Sequence, residues 1–290
     1  MKEISDVLKK NNIRALNYEK LGNVIIVNSN KGKFVIKKNN IDSSIFEYLD
    51  NRSFKEYPHT IFDSKYIISK YEEEDNIPNE QKMFDLINTI SLMHAKTSFY
   101  KEVSDYEYKT IYEDLLNNCE YLYTYYNNYI NIIDNKIVFG PSDYTLSRGI
   151  SFIFKSIENT KSKMQDWYKK VENLNKMRVS IIHNNLDLNH FIRNKNNYLI
   201  SWDKSKIDIP IYDLYKLYNK YYLNYNFIEL LKSYEKNYPL KDYEKDLLLI
   251  LINMPNKITY TTEYETCVKI NNEIDRLCKS NKLKETLASS

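Results

Sequence analysis

The spacing of apolar residues changes near residue 79. Before it, short apolar runs alternate with turn-forming residues. Ile13 to Leu21, Val24 to Ser29 and Phe34 to Lys38 have the composition of strands, separated by Gly22-Asn23 and by Asn30-Lys31-Gly32-Lys33. A short helix with Ile45, Phe46 and Leu49 on one side is expected next, then two more strands, Ile61-Phe62 and Tyr66-Ile67-Ile68, around the turn Asp63-Ser64-Lys65. After residue 79 the period is helical. Met83, Leu86, Ile87, Ile90 and Met93 form one stripe, and longer stripes run from Tyr108 to Leu122 and from Ile150 to Val171. The helical period stops between 179 and 202. There, Val179-Ser180-Ile181-Ile182 reads as a strand, His183 to His190 as a polar loop, and Phe191-Ile192 with Tyr198-Leu199-Ile200 as a hairpin. Helical stripes resume over Leu214–Tyr221, Leu247–Leu251 and Tyr264–Leu277.

This order predicts an α+β chain in two lobes. The first, 1–74, holds five short strands and one helix. The second, 75–290, is helical with a small β-insert at about 179–202. The polar stretch Glu72 to Asn79, which contains Pro78, marks the boundary.

Composition narrows the function classes. With 42% hydrophobic and 28% charged residues there is material for a sizeable core, so disorder is not expected. The 42 basic and 39 acidic residues nearly cancel and are scattered, which predicts neither a nucleic-acid stripe nor a polybasic membrane patch. The longest aliphatic run, Leu247 to Ile252, is too short to span a bilayer, so neither nucleic acid nor membrane is expected as a partner. Cys119, Cys267 and Cys278 form no CxxC pair, and no early stretch has a signal peptide's charged start and apolar middle; a reducing cytoplasm is the expected setting. The 28 tyrosines fall on apolar helical positions, so they read as core-edge residues with hydroxyls near water rather than as a stacking platform.

Several short motifs occur in a telling order. Phe34-Val35-Ile36-Lys37 ends a strand on a lysine, with Glu47 on the following helix as its expected partner. Leu92-Met93-His94 closes an early helix. Ile181-Ile182-His183-Asn184-Asn185-Leu186 continues through Asp187 and His190 to Phe191-Ile192. Tyr198-Leu199-Ile200-Ser201-Trp202-Asp203 follows, and then Pro210-Ile211-Tyr212-Asp213-Leu214. Over roughly residues 13–252 this series resembles the aminoglycoside phosphotransferase, choline kinase and CotS-type spore-coat kinase-like family. The resemblance implies a protein-kinase-like fold, ATP and Mg²⁺ as cofactors, and, if the protein is an active enzyme, transfer of phosphate to an alcohol group of an acceptor. It assigns Lys37 to the α/β-phosphates, His183 to bracing of the catalytic loop, and Asp213 to support of that loop through its backbone N–H groups. It makes the backbone of Glu72 to Asp75 a hinge able to hold adenine.

The departures from that family pattern bear on chemistry. The general-base aspartate position holds Asn185, the asparagine metal-ligand position His190, the metal-binding aspartate position Ser201, and the glycine after the histidine Asn184. An amide is no base near neutral pH, and loss of a general base typically lowers rate by ~10²–10⁴. Mg²⁺ prefers carboxylate oxygens, whereas Ser201 offers a neutral hydroxyl and His190 a nitrogen. Asp187 and Asp203 are candidate relocated acids; Asp203 would share a side with Ser201 if their segment were extended. The leading expectation is therefore a pseudokinase-like binding or regulatory module with a nucleotide, a small molecule or a protein as partner. The alternatives are an active small-molecule O-phosphotransferase using relocated carboxylates, and a spore-coat-associated structural protein.

Overall fold

The computed structural model describes residues 2–288. In chain order the elements are α1 (Lys2–Lys10), β1 (Ala15–Leu21), β2 (Val24–Ser29), β3 (Gly32–Lys38), α2 (Ser43–Asn51), β4 (Thr60–Phe62), β5 (Tyr66–Lys70), α3 (Asn79–Thr97), β6 (Phe99–Glu102), α4 (Asp105–Asp134), α5 (Pro141–Val171), β7 (Lys176–Ile182), β8 (Phe191–Arg193), β9 (Asn197–Leu199), β10 (Lys206–Asp208), α6 (Ile211–Tyr221), α7 (Phe227–Glu235), α8 (Asp242–Asn253) and α9 (Glu263–Ala288). Single turns of 3-10 helix occupy Leu188–His190 and Trp202–Lys204. The chain divides into two compact units. One holds the residues up to Ser98 with Ser180–Asp208 and Lys236–Tyr238; the other holds Phe99–Val179, Ile209–Glu235 and the residues from Pro239 onward.

The first unit is built on an antiparallel five-stranded sheet of order β1-β2-β3-β5-β4. Its predicted turns lie where glycine is needed: Gly22 has φ +57° and Gly32 φ +102°, a region open to glycine at no steric cost. On β3, Phe34 and Ile36 are buried and join Val27 and Ile68 in a core that α1 covers with Ile4, Val7 and Leu8. A strand sends alternate side chains to opposite faces, so Lys37 leaves the sheet on the side away from Ile36. Asp42 caps α2 by accepting the Ser44 N–H at 2.9 Å. Farther along, β8 and β9 form the predicted hairpin, and β10 pairs with the end of β7, Lys206 opposite Ile182.

The second unit is helical. Gly149 lets α9 approach α5 closely, since a Cβ there would lie 2.2 Å from Ile274 Cδ1. The Trp167 indole N–H on α5 donates to Tyr243 O at 3.0 Å. β6 pairs with the start of β7, Phe99 opposite Val179, and the half-buried Arg178 and buried Glu244 form a two-pronged ion pair. Arg276 is almost fully buried, and its guanidinium donates to Glu273, Ile252 O and Met254 O, each at 2.6 Å. Burial disfavours its charge, but the Glu273 carboxylate outweighs burial and keeps the group cationic.

Removing one partner of a buried ion pair leaves an uncompensated charge. Glu273→Leu is therefore expected to cost about 3–5 kcal/mol of stability, measured by urea unfolding of the wild type and the variant. A loss below about 1 kcal/mol would show that this pair does not hold α8 and α9 together.

Candidate functional site

Within the first unit, the loop after β7 and the segment after β9 are held against one another by their backbones. His183 is fully buried at the end of β7, and its Nε2–H donates to Ile200 O at 2.9 Å, which fixes the tautomer because a carbonyl can only accept. Ile200 N–H in turn donates to His190 O at 2.9 Å. His190 Nδ1–H donates to Asn185 O at 2.7 Å, so its ring is oriented by the loop itself. Asn184 Nδ2 reaches across to Lys204 O at 2.9 Å.

The two neutral replacements, Asn184 and Ser201, share an unusual backbone. Asn184 has φ +61° and Ser201 φ +65°, both in the left-handed region. Left-handed geometry costs an ordinary residue roughly 1–2 kcal/mol, and asparagine tolerates it best after glycine. Asn184 thus keeps the conformation that a glycine would supply. Ser201 has no such tolerance and is held by its neighbours. Trp202 is buried, donates its indole N–H to Leu199 O at 2.8 Å, and packs edge-on against His183, Phe46, Phe54 and Tyr57, with ring centroids 4.9–6.5 Å away.

The turn at Ser201 meets the strand lysine. Lys37 Nζ donates to Ser201 Oγ at 3.3 Å. The structure does not bring Glu47 to Lys37. Phe46 and Leu49 are the buried positions of α2, and at 100° per residue this turns Glu47 outward, where it is exposed. The extended geometry that would align Asp203 with Ser201 is also absent. Trp202–Lys204 is a 3-10 turn, in which residues two apart point in different directions, and Asp203 is exposed. Asp187 is buried and accepts the Asn189 N–H at 2.7 Å as the cap of the turn Leu188–His190. Asp213 is fully buried in the first turn of α6, in the other unit, where the helix's free N–H groups favour a carboxylate. Among the described residues, no three His, Cys, Asp or Glu side chains come together in a way that could hold a metal ion, and the Asn185 amide makes no hydrogen bond.

The predicted hinge is partly engaged. Glu73 O accepts from Asn194 Nδ2 at 3.0 Å and Asp75 N–H donates to Arg193 O at 2.8 Å, so the β8–β9 turn holds two of its backbone groups. Arg193 is anchored to Asp85 on α3 at 2.9 Å, and Glu74 pairs with Lys82. Among the described residues, the N–H groups of Glu73 and Glu74 and the C=O of Glu74 hold no hydrogen bond.

No family model matches the chain, and no curated protein matches it. Solved structures do. The architecture superposes on an aminoglycoside phosphotransferase from Alicyclobacillus acidocaldarius subsp. acidocaldarius DSM 446 with a TM-score of 0.71 at 8% identity, covering 95% of this chain and 93% of that one. This chain has the protein-kinase-like fold of the aminoglycoside phosphotransferases. Spectinomycin phosphotransferase APH(9)-Ia gives TM-scores of 0.54 in its AMP-bound complex (13% identity, 99% of this chain, 94% of that chain) and 0.50 in complex with ADP and spectinomycin (11% identity, 98% of each). At such identities the likeness is one of fold. The α+β class expected from sequence holds: the small antiparallel sheet comes first and helices dominate the remainder. Within this phosphotransferase fold, sequence reasoning missed the left-handed turn at Ser201 and the tie between hinge and hairpin. The Asn184-Asn185 pair was a signal for the first left-handed residue, since asparagine is the usual substitute for glycine there.

A substitution pair at Asn184 separates backbone from side chain. Asn184→Gly gives up the side chain's bond to Lys204 O and keeps the turn, so it is expected to shift stability by about 1 kcal/mol or less. Asn184→Val forces a β-branched residue to positive φ and is expected to cost about 2–3 kcal/mol. Denaturant unfolding of both variants checks this, and equal losses would contradict the left-handed assignment.

Proposed function

We propose that this chain uses the phosphotransferase fold as a nucleotide-binding module, binding or regulatory in role, whose cleft lacks the acids for Mg²⁺-dependent phosphoryl transfer. The observation that carries this reading is the contact between Lys37 Nζ and Ser201 Oγ at 3.3 Å. A strand lysine for phosphates is present, and its neighbour is a neutral hydroxyl rather than a carboxylate. A serine hydroxyl cannot hold Mg²⁺ as an aspartate does, because the ion prefers hard anionic oxygen in near-octahedral order. The amide at 185 supplies no general base. Phosphoryl transfer depends mainly on positioning and charge stabilisation, so losing both the metal-holding acid and the base removes much of what such a site contributes.

The free N–H groups of Glu73 and Glu74 and the free C=O of Glu74 suit the edge of a purine base, and the partners named for a fold neighbour, AMP and ADP, are of that class. An active enzyme with relocated acids has less support. Asp187 is engaged as a turn cap, and Asp203 is exposed on a 3-10 turn. A reducing cytoplasm suits the cysteines: all three are free, and burial pushes the Cys119 thiol up to about 11, which keeps it inert.

The test is steady-state ATP consumption with Mg²⁺, alone and with candidate alcohol acceptors. Turnover at background level is expected. Robust turnover that Asn185→Ala abolishes would overturn the proposal. In parallel, Lys37→Met is expected to weaken ADP binding about tenfold, the equivalent of ~1.4 kcal/mol, as read by calorimetry. Unchanged ADP binding in that variant would remove Lys37 from the phosphate site.

A further inference from the structure

The short connection between α4 and α5, in the helical unit, carries three consecutive apolar residues that face outward. Ile137 is 99% exposed, Val138 79% and Phe139 55%. A folded chain rarely leaves such a run in water without use. Around this apex stand tyrosines. Tyr144 lies one turn into α5 and is exposed. Tyr260 and Tyr264, 56% and 80% exposed, are brought to the same end by Glu263. The Glu263 carboxylate accepts the Ser142 N–H at 2.9 Å and the Tyr260 hydroxyl at 3.3 Å. It lies so close to Gly140 that a Cβ there would sit 2.8 Å from it.

Of the charges beside the apex, Asp134 is exposed at the end of α4 and Lys136 is paired. Lys136 donates to both oxygens of the buried Asp143 at 2.7 and 2.8 Å. Arg148 lies over the Tyr144 ring at 5.7 Å. The arrangement is layered: an aliphatic and phenyl tip whose own three residues carry no charge, then a collar of rings with polar ends.

We propose that this tip is a peripheral membrane-docking site that dips Ile137, Val138 and Phe139 into the headgroup–acyl boundary of a lipid bilayer. The layering fits that medium, because tyrosine favours the membrane–water interface, where its ring meets apolar chains and its hydroxyl meets water. The tip is convex, and a bilayer needs no preformed receptacle for it. Two concave sites of the helical unit that a second copy could offer the tip are rimmed by charged residues, Lys163 and Asp246 at one and Lys176 and Lys241 at the other. No helix among the described residues is long and apolar enough to cross a membrane, so the contact is with the surface. The sequence reading expected no membrane partner on grounds of charge and run length, and neither measure registers a three-residue tip.

The experiment is co-sedimentation of the full chain with phosphatidylcholine vesicles, with and without about one third phosphatidylserine. Binding to both is expected, changing less than about twofold between low and high salt because no ion pair to lipid is involved. Ile137→Asp with Phe139→Asp is expected to lower binding more than about tenfold with an unchanged thermal melt, since both positions are exposed. A Phe139→Trp variant is expected to shift its emission to the blue on adding vesicles. Absence of sedimentation with either vesicle overturns the proposal. So does a concentration-dependent dimer in light scattering that Phe139→Asp dissociates, which would assign the tip to a second copy.

Discussion

The left-handed turn at Ser201 is the constraint on which the candidate site depends. An ordinary residue resists that geometry by roughly 1–2 kcal/mol, so something must hold it. Three hydrogen bonds converge on its flanks: His183 to Ile200 O, Ile200 N–H to His190 O, and the Trp202 indole to Leu199 O. Each is worth on the order of 1 kcal/mol net, and burial of Trp202 among four rings adds more. The turn aims the Ser201 hydroxyl back at β3, and that alone accounts for its meeting Lys37. Backbone strain sustained by surrounding packing is common where a ligand is held.

Chemistry follows from which groups this frame presents. The loop after β7 and the segment after β9 are tied together by their backbones, and the side chains where they meet are an amide, a hydroxyl and an imidazole whose Nδ1–H is committed to Asn185 O. Of the carboxylates nearby, Asp187 caps a turn, Asp85 anchors Arg193, and Asp203 is exposed on its 3-10 turn. The phosphotransferase fold together with neutral side chains at Asn185 and Ser201 is the physical basis on which we propose a binder.

Much of this was legible in the sequence, for identifiable reasons. The five strands of the first sheet were readable because Gly22 and Gly32 punctuate clean runs of β-branched and aromatic residues. The sequence reading paired Lys37 with Glu47, and the structure places it against Ser201 instead. Other features were not readable. α1 carries a helical stripe, Ile4, Val7 and Leu8, but over nine residues periodicity is weak evidence. β10 is Lys206-Ile207-Asp208, which has no strand pattern of its own and pairs because β7 offers an edge. The outward turn of Glu47 and the 3-10 turn at Asp203 depend on one residue's dihedral angle, which no apolar pattern encodes.

The central claim is that the cleft binds nucleotide through Lys37 without a metal ion. Calorimetric titration of ADP into the protein, once in EDTA and once in excess Mg²⁺, tests it most directly. The account predicts binding in both, with affinities that agree within about threefold. Binding that appears only with Mg²⁺, or that strengthens more than tenfold with it, would contradict the account.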